Sequence, residues 1–444
     1  MARLFGTDGV RGVANKELTC DLAFKLGQAA VAFQGRTILI GKDTRLSGDM
    51  LESAVAAGIM SMGGTALLAG IIPTPAIALL VRELHCDGGI VISASHNPPE
   101  YNGIKLFDSK GFKLPDAVED DIEAFVQSDG ASPDALPAGD AVGVSIPVDD
   151  ACELYIAHAV ATVADEGIDF KGLKVALDVG HGASCATSAE ALRRLGADVT
   201  VINEEFDGTD INVKCGSTHL EPLRQLVAEI GADVGIAHDG DADRVMLMDA
   251  QGNEIDGDVV EAVCAIDLKQ RDLLPGNTAV STVMCNLGLT HAMRDAGIEL
   301  IQTKVGDRYV LEAMREGGYV IGGEQSGHMI FLEHNSTGDG LVTALQFLAA
   351  CKRTGKSIEE AAAVMTRFPQ TLINVHVQDK HAVDGNAAVQ AAVAAAEAEL
   401  GDSGRVLLRP SGTEPVVRVM VEAASAEDAD RHAQAIAEVV EREV

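Results

Sequence analysis

A run of short apolar strands and helices recurs three times in the same order, and this recurrence constrains the chain more than any other feature. The first copy has "TILIG" from Thr37, a helical stretch from Ser47, then "TALLAG" and "GGIVIS" ending at Ser93. The second has "LKVALDVG" from Leu173, a helix from about Ser188 to Leu195, then "DVTVIN" and "ADVGIAH" ending at His238. The third has "NTAVSTV" from Asn277, a helix from about Thr290 to Ala296, then "IELIQT" and "GGYVIGG" ending at Gly323. A recurring strand–helix–strand order predicts open α/β sheets. In each copy a dense polar motif follows the third strand directly. Ligands of open α/β sheets collect at the carboxyl ends of strands, so three such motifs can face one shared cleft.

At 444 residues the chain is long enough for several cores. The stretch "SDGASPDALPAGDAVG" from Ser128 to Gly143 has the Gly, Pro, Ser and Asp content of a linker or exposed loop, which places a boundary near residue 150. From about Phe368 the pattern changes to "TLINVHV", an Ala-rich helix to Leu400, a hairpin of "RVLLR" and "VVRVMVEA", and a last helix from Ala426. The expected division is an α/β domain over 1–150, a second over 151–255, a third over 256–367, and a small α+β domain over 368–444.

Composition removes several classes of function. Acidic residues number 67 against 34 basic ones, giving a net charge of −33, and there is no Trp. A polyanionic backbone would be repelled and bases would find no stacking platform, so nucleic acid is not an expected partner. Any phosphate site must be a local cluster of Arg, Lys and backbone amides. The eight cysteines are scattered with no C-x-x-C pair and read as buried free thiols of a reducing compartment. The most apolar run, Gly64 to Val81, is broken by Pro73 and Pro75, and the opening "MARLFGTDGVRG" has no signal-peptide core. The expectation is a cytoplasmic protein with no membrane partner.

Four motifs carry the chemistry. In "SASHNP", a strand runs into a turn at Ser95, a candidate nucleophile or phosphate carrier. No G-x-S-x-G elbow surrounds it, which disfavours acyl transfer. In "DGDADR", Asp239, Asp241 and Asp243 can turn three oxygens toward one hard cation, Mg²⁺ or Ca²⁺. An EF-hand fails here, because Arg244 stands where the turn glycine belongs and Ala250 where the bidentate Glu should be. In "GEQSGH", Glu324, Ser326 and His328 are spaced for adjacent sugar hydroxyls. In "RPSGTEP", Arg409, Ser411, Gly412 and Thr413 have the composition of a phosphate cradle, with Arg418 on the returning strand. Two nucleotide-like strings are set aside. "TGKS" at Thr354 to Ser357 has the tail of a P-loop, but Ala350 replaces the first glycine and a helical run precedes it; "GHGASC" carries Cys185 in place of the third glycine of a dinucleotide fingerprint.

Together with "GTDGVRG" at Gly6 to Gly12, these motifs in this order resemble the α-D-phosphohexomutase superfamily over the whole chain. The resemblance is closest to its bacterial branch acting on glucosamine phosphate, chiefly through Ser93 and Gln325, where relatives acting on glucose or mannose more often carry Thr or Gly and Met. It implies three similar α/β domains with mixed sheets plus a smaller C-terminal α+β domain around a central cleft. It also implies interconversion of glucosamine 6-phosphate and 1-phosphate through a phosphoserine and a 1,6-bisphosphate, supplying UDP-N-acetylglucosamine and cell-wall precursors. In that resemblance Ser95 is the phosphoserine and, with Asp239, Asp241 and Asp243, a ligand of one Mg²⁺ per active site. Arg11 and Arg244 are cations near the transferring phosphoryl, Lys105 in "NGIK" moves the proton with His328 as a second candidate, Glu324 and Ser326 bind sugar hydroxyls, and Arg409, Ser411, Gly412, Thr413 and Arg418 hold the other phosphate. Pro99 after Pro98 departs mildly from the family's loop. The rival reactions are the same transfer on glucose or mannose phosphates and a Mg²⁺-dependent sugar phosphatase. The partners implied are small sugar phosphates, and a homodimer is compatible with the sequence.

Overall fold

The computed structural model describes residues 3–6, 8–383, 385–411 and 415–444. The chain divides into two compact units, Met1–Met284 with Ile298–Ala363, and Cys285–Gly297 with Val364–Val444.

The first unit holds three sheets. The first is built from β1 (Val10–Val13), α1 (Cys20–Phe33), β2 (Thr37–Lys42), α2 (Gly48–Ser61), β3 (Thr65–Ile71), α3 (Thr74–Glu83), β4 (Gly88–Ile92), β5 (Tyr101–Asp108), α4 (Asp116–Gln127) and β6 (Val144–Pro147). Its strand order is β1-β5-β4-β2-β3-β6. Strand side chains alternate between faces. Ile38 and Ile40, Ile90 and Ile92, and Ile104 and Leu106 join the buried cluster under α1, α2 and α4. The intervening face meets α3, where Ile77 packs beside Gly41. Each such fully buried aliphatic side chain contributes about 1.5–3 kcal/mol. Local signals set the helix starts: Thr19 caps α1 by accepting the Leu22 N–H at 3.2 Å, and Pro75, which breaks the apolar run, sits in the first turn of α3 where its missing N–H costs nothing.

The second sheet comprises α5 (Ala151–Ala164), β7 (Lys174–Asp178), α6 (Ser188–Arg194), β8 (Asp198–Ile202), α7 (Glu221–Ile230), β9 (Val234–His238), β10 (Val245–Asp249) and β11 (Glu254–Ile255), ordered β11-β10-β9-β7-β8. The third begins with α8 (Gly257–Gln270) and β12 (Thr278–Thr282); α9 (Leu287–Asp295) follows in sequence but belongs to the second unit. It continues with β13 (Glu299–Thr303), α10 (Asp307–Gly317), β14 (Ile321–Gly323), β15 (Met329–Phe331), α11 (Gly340–Thr354) and α12 (Ile358–Ala362), ordered β13-β12-β14-β15.

The three sheets therefore share one core: β3-β2-β4-β5, β8-β7-β9-β10 and β13-β12-β14-β15. Three parallel strands are followed in each by an antiparallel fourth. The sequence reading found the three parallel strands and missed the fourth, as well as the crossover helices α3, α7 and α10 that precede the third. The fourth strand matters most, because its return pins each polar motif as a short loop between two paired strands.

In the second unit, β16 (Gln370–His376), α13 (Ala387–Leu400), β17 (Gly404–Pro410), β18 (Val416–Ala423) and α14 (Ala426–Glu443) form an antiparallel sheet ordered β16-β18-β17, with Val417, Val419 and Val421 in its core. The fold class is thus three mixed α/β sheets plus a smaller C-terminal α+β domain. No helix of the described residues is long and apolar enough to cross a membrane.

All eight cysteines are free, but the expectation that all are buried needs correction: Cys20 is exposed on the first turn of α1, and Cys152 and Cys185 are partly exposed. Burial pushes the Cys185 thiol up to about 11 and the Cys215 and Cys351 thiols up to about 12. Native protein should accordingly show one fast-reacting thiol toward a neutral-pH disulfide reagent, lost in Cys20→Ser, with Cys152 and Cys185 reacting slowly and the five buried thiols only after denaturation.

Candidate active site

Ser95 lies in the loop between β4 and β5, 1 % exposed, with φ at 52°. A left-handed conformation in a residue other than glycine costs about 1–3 kcal/mol and persists only where neighbours over-determine it. Arg45 supplies most of that restraint. Buried against Asp43 at 2.9 Å, it donates to the carbonyls of Ser95 (2.9 Å), Asn97 (2.8 Å), Pro98 (2.6 Å) and Tyr101 (2.9 Å). Asn212 adds a bond to the Ser95 carbonyl at 2.9 Å, and Ser93 Oγ accepts the Ser95 N–H at 2.9 Å while donating to Asp43 at 2.6 Å.

The loop between β9 and β10 brings the carboxylates to this serine. Gly240 makes the approach feasible: a Cβ there would lie 2.7 Å from the Ser95 carbonyl oxygen and 2.8 Å from Asn212 Nδ2. Ser95 Oγ donates to Asp239 Oδ2 at 2.7 Å and lies 3.2 Å from His96 Nδ1. Asp239, Asp241 and Asp243 are all buried, each offering an oxygen within 4.8 Å of the others. Burial, with Asp243 and Asp241 adding repulsion, raises the Asp239 carboxyl well above its ordinary range. Asp241 Oδ1 and Asp243 Oδ1 are buried without a hydrogen-bond partner. Orphaned carboxylate oxygens converging from a donor set of oxygens alone fit a hard divalent cation.

Lys105 reaches the cluster from β5, 1 % exposed, with Nζ 2.8 Å from Asp241, 3.0 Å from Asp8 and 3.5 Å from Asp243. Burial alone would discharge it, but Asp241, Asp8 and Asp243 outweigh that and hold the ammonium well above its ordinary range. Asp8 in turn resists burial through Lys105, Lys113 and Arg11, which keep it well below the carboxylate range. Lys113 bridges Asp8 and Asp307 at 2.5 Å each.

From the loop between β14 and β15, His328 places Nδ1 3.7 Å from Asp243, while its Nε2 accepts the Gly338 N–H at 3.2 Å. The ring proton therefore sits on Nδ1, toward Asp243. Glu324 accepts the Gly306 N–H at 3.1 Å and the Ser326 hydroxyl at 3.4 Å. Gln325 donates to Asp256, the cap of α8, at 3.4 Å. Arg11, Arg244, His96, Lys113, Glu324 and His328 share a cleft of about 270 Å³ with Asp8, Asp243 and Asp307.

The first unit thus gathers Ser95, Lys105, the three aspartates, Arg11, Arg244, Glu324, Ser326 and His328 around the three loops. In the second unit, Arg409 on β17 stands directly opposite Arg418 on β18, so two cations share one face of the hairpin. Burial, together with Arg418, lowers the Arg409 guanidinium. Like charges so placed repel unless an anion joins them. Ser411 N–H closes the hairpin on the Val416 carbonyl at 2.9 Å. Gly412 and Thr413 lie outside the described residues. Sequence reasoning missed Arg45, Asp43, Asp8, Lys113, Asp307 and Asn212; only "KDTR" after β2, a charged cluster at a strand's carboxyl end, offered a signal.

Models of the phosphoglucomutase/phosphomannomutase family match its domain I at residues 2–132, domain II at 153–252, domain III at 256–368 and the C-terminal domain at 372–439. The chain therefore belongs to the phosphoglucomutase/phosphomannomutase family, within the phosphohexomutase superfamily. Inside that family it is similar to bacterial phosphoglucosamine mutases. It is 51 % identical to that of Clostridium novyi over 99 % of both chains and 50 % identical to that of Heliobacterium modesticaldum over the whole of both. Among solved structures, a family protein of Burkholderia thailandensis (24 % identity, 98 % of both chains) superposes with a TM-score of 0.81. The Aspergillus fumigatus N-acetylphosphoglucosamine mutase in complex with GlcNAc-6P and magnesium (18 % identity, 99 % of this chain and 95 % of that one) gives 0.69.

Arg45→Met should leave a folded protein whose Ser95 loop is no longer fixed, lowering kcat/KM by about 100-fold or more. Gly240→Ala should give a comparable loss by pushing the two loops apart. Steady-state kinetics beside circular dichroism checks both.

Proposed function

We propose that this chain interconverts glucosamine 6-phosphate and glucosamine 1-phosphate by passing a phosphoryl group through Ser95. The observation that carries the reading is Ser95 Oγ at 2.7 Å from Asp239, inside a buried three-carboxylate cluster flanked by Lys105. The glucosamine assignment rests on the names of relatives about half identical over the full chain. The same reading assigns four domains, 1–150, 151–255, 256–367 and 368–444, each delivering one loop; the matched family segments support it.

Phosphoryl transfer depends on in-line positioning and charge neutralisation more than on covalent chemistry of the protein. Mg²⁺ held by Asp239, Asp241, Asp243 and the Ser95 phosphate, one ion per site, would supply charge neutralisation at the transferring oxygens. Arg11 and Arg244, lining the cleft, supply the remaining cations. Phospho-Ser95 gives its phosphoryl to the 1-hydroxyl of glucosamine 6-phosphate: the new O–P bond forms as the Ser95 Oγ–P bond breaks, and the hydroxyl proton is taken up by the protein. Lys105 is held as an ammonium by Asp8, Asp241 and Asp243, so it takes up that proton by passing one of its own to the neighbouring Asp8 carboxylate, with His328, whose Nε2 is engaged by Gly338, as the second candidate. Glu324 and Ser326 hold sugar hydroxyls. Arg409, Ser411, Gly412, Thr413 and Arg418 hold the phosphate that is not reacting. The 1,6-bisphosphate turns over, and its 6-phosphoryl returns to Ser95. Free thiols and small phosphorylated substrates support a cytoplasmic setting.

Ser95→Ala should abolish mutase turnover while retaining the fold, and appreciable activity in that variant would refute the carrier role. Asp241→Ala should lose activity together with its response to added Mg²⁺; a variant fully active in excess chelator would reject the metal assignment. Measured on the three sugar 1-phosphates, kcat/KM should favour glucosamine over glucose and mannose by about tenfold or more.

A further inference from the structure

A second cavity shares no lining residue with the cleft. It measures about 470 Å³, within the range of small-molecule sites. One wall is the turn before β7, and the other is the end of α11 with the start of α12. Its floor is apolar: Phe170, Leu348, Cys351 and Ile358 are all buried. Its mouth carries Lys171, Lys352 and Lys356.

Three lysines at one mouth are unusual in a chain of net charge −33. Lys352 can be explained by the carboxyl end of α11, whose dipole favours a cation in the last turn. Lys171, on the opposite wall, pairs with Asp169 at 2.9 Å, whereas Lys356 lies beyond the helix and has neither explanation. Arg353, in the same turn, pairs with Asp267 at 2.7 Å and Glu166 at 2.8 Å. By contrast, Lys352 and Lys356 make no hydrogen bond or ion pair with any described residue, and both are exposed. Two acids also line the cavity: Asp233, which accepts the Lys174 N–H at 2.7 Å, and Glu359 in the first turn of α12. Gly172 and Gly355, one on each wall, both face open space where a Cβ would point. The "TGKS" string thus forms this wall as a helix end: Gly355 closes α11 with φ at 67°, and Ser357 caps α12 by accepting the Glu360 N–H at 3.1 Å. With the cap already satisfied, the lysines are the groups left to meet an anion.

We propose that this cavity is a second ligand site, taking an organic anion whose flat apolar body enters over Phe170 and Leu348 while its phosphate, sulfonate or carboxylate head stays with Lys352 and Lys356. Because one wall precedes the sheet that carries the aspartate loop and the other follows the strands that carry the Glu324 loop, an occupant would tie together the supports of two catalytic loops. The site is independent of the mutase reading.

Titration calorimetry of the full chain with 1-naphthalenesulfonate tests it, with 1-naphthol as the uncharged body and sulfate as the bare head. The sulfonate should bind with a stoichiometry of one and more tightly than either control. Lys352→Glu/Lys356→Glu should weaken it by at least about tenfold. Ala250→Trp, at an exposed lining position, should fill the mouth and abolish binding. Saturating glucosamine 6-phosphate should leave the stoichiometry of one unchanged, since the two ligands occupy different sites. Equal affinity in both variants and wild type, absence of sulfonate binding, or its displacement by the sugar phosphate would each overturn the proposal.

Discussion

The buried ion pair between Lys105 and Asp241 is the contact on which the rest of the site depends. Both side chains are about 1 % exposed, and they join the first sheet, through β5, to the loop leaving the second. Desolvating two charges is costly and is repaid only when geometry and further partners are good. Here Asp8 and Asp243 surround the ammonium, and Thr74 donates to Asp241 at 2.7 Å. Removing the lysine would leave three buried carboxylates, Asp239, Asp241 and Asp243, beside the half-buried Asp8, with too little positive charge nearby. The cluster is therefore a device that holds two loops in register while remaining short of cations, a state suited to capturing one.

The repeated sheet explains why such loops can be placed accurately. In all three copies the motif leaves a central parallel strand and returns at once on an antiparallel neighbour. Both ends of each loop are thus tied into a hydrogen-bonded ladder, and the loops inherit the rigidity of the sheet edge. The strained φ of Ser95 and the left-handed Ala242 at 55° between two aspartates show what that rigidity sustains. The C-terminal unit contributes a different element, a hairpin whose facing arginines belong to neighbouring strands.

Much of this was legible in the sequence because the principal chemistry is contiguous: Ser95, the alternate aspartates and the Glu324 to His328 loop each occupy a few consecutive residues. The parallel strands were legible from their apolar runs. The antiparallel fourth strands were not: Lys105 and the glycine of "YNGIKLFD" interrupt the pattern of β5, and β10 and β15 are only five and three residues long. Arg45, Asp8 and Lys113 went without a role for another reason. Their roles arise from convergence of separate elements, and alone each reads as an ordinary surface charge. Ser93 and Gln325, the residues that bias the sequence toward glucosamine, proved to bond the Ser95 loop and the α8 cap respectively.

The central claim is that Ser95 carries a phosphoryl group that moves reversibly to a sugar. The most direct test follows a radiolabelled phosphoryl on the purified enzyme, located by peptide mapping, through a single turnover with glucosamine 6-phosphate. The account predicts label on Ser95 that passes to the sugar, appearing as the 1,6-bisphosphate and then as monophosphate, with the enzyme rephosphorylated. Label absent from Ser95, or released as inorganic phosphate without entering the sugar, would contradict it.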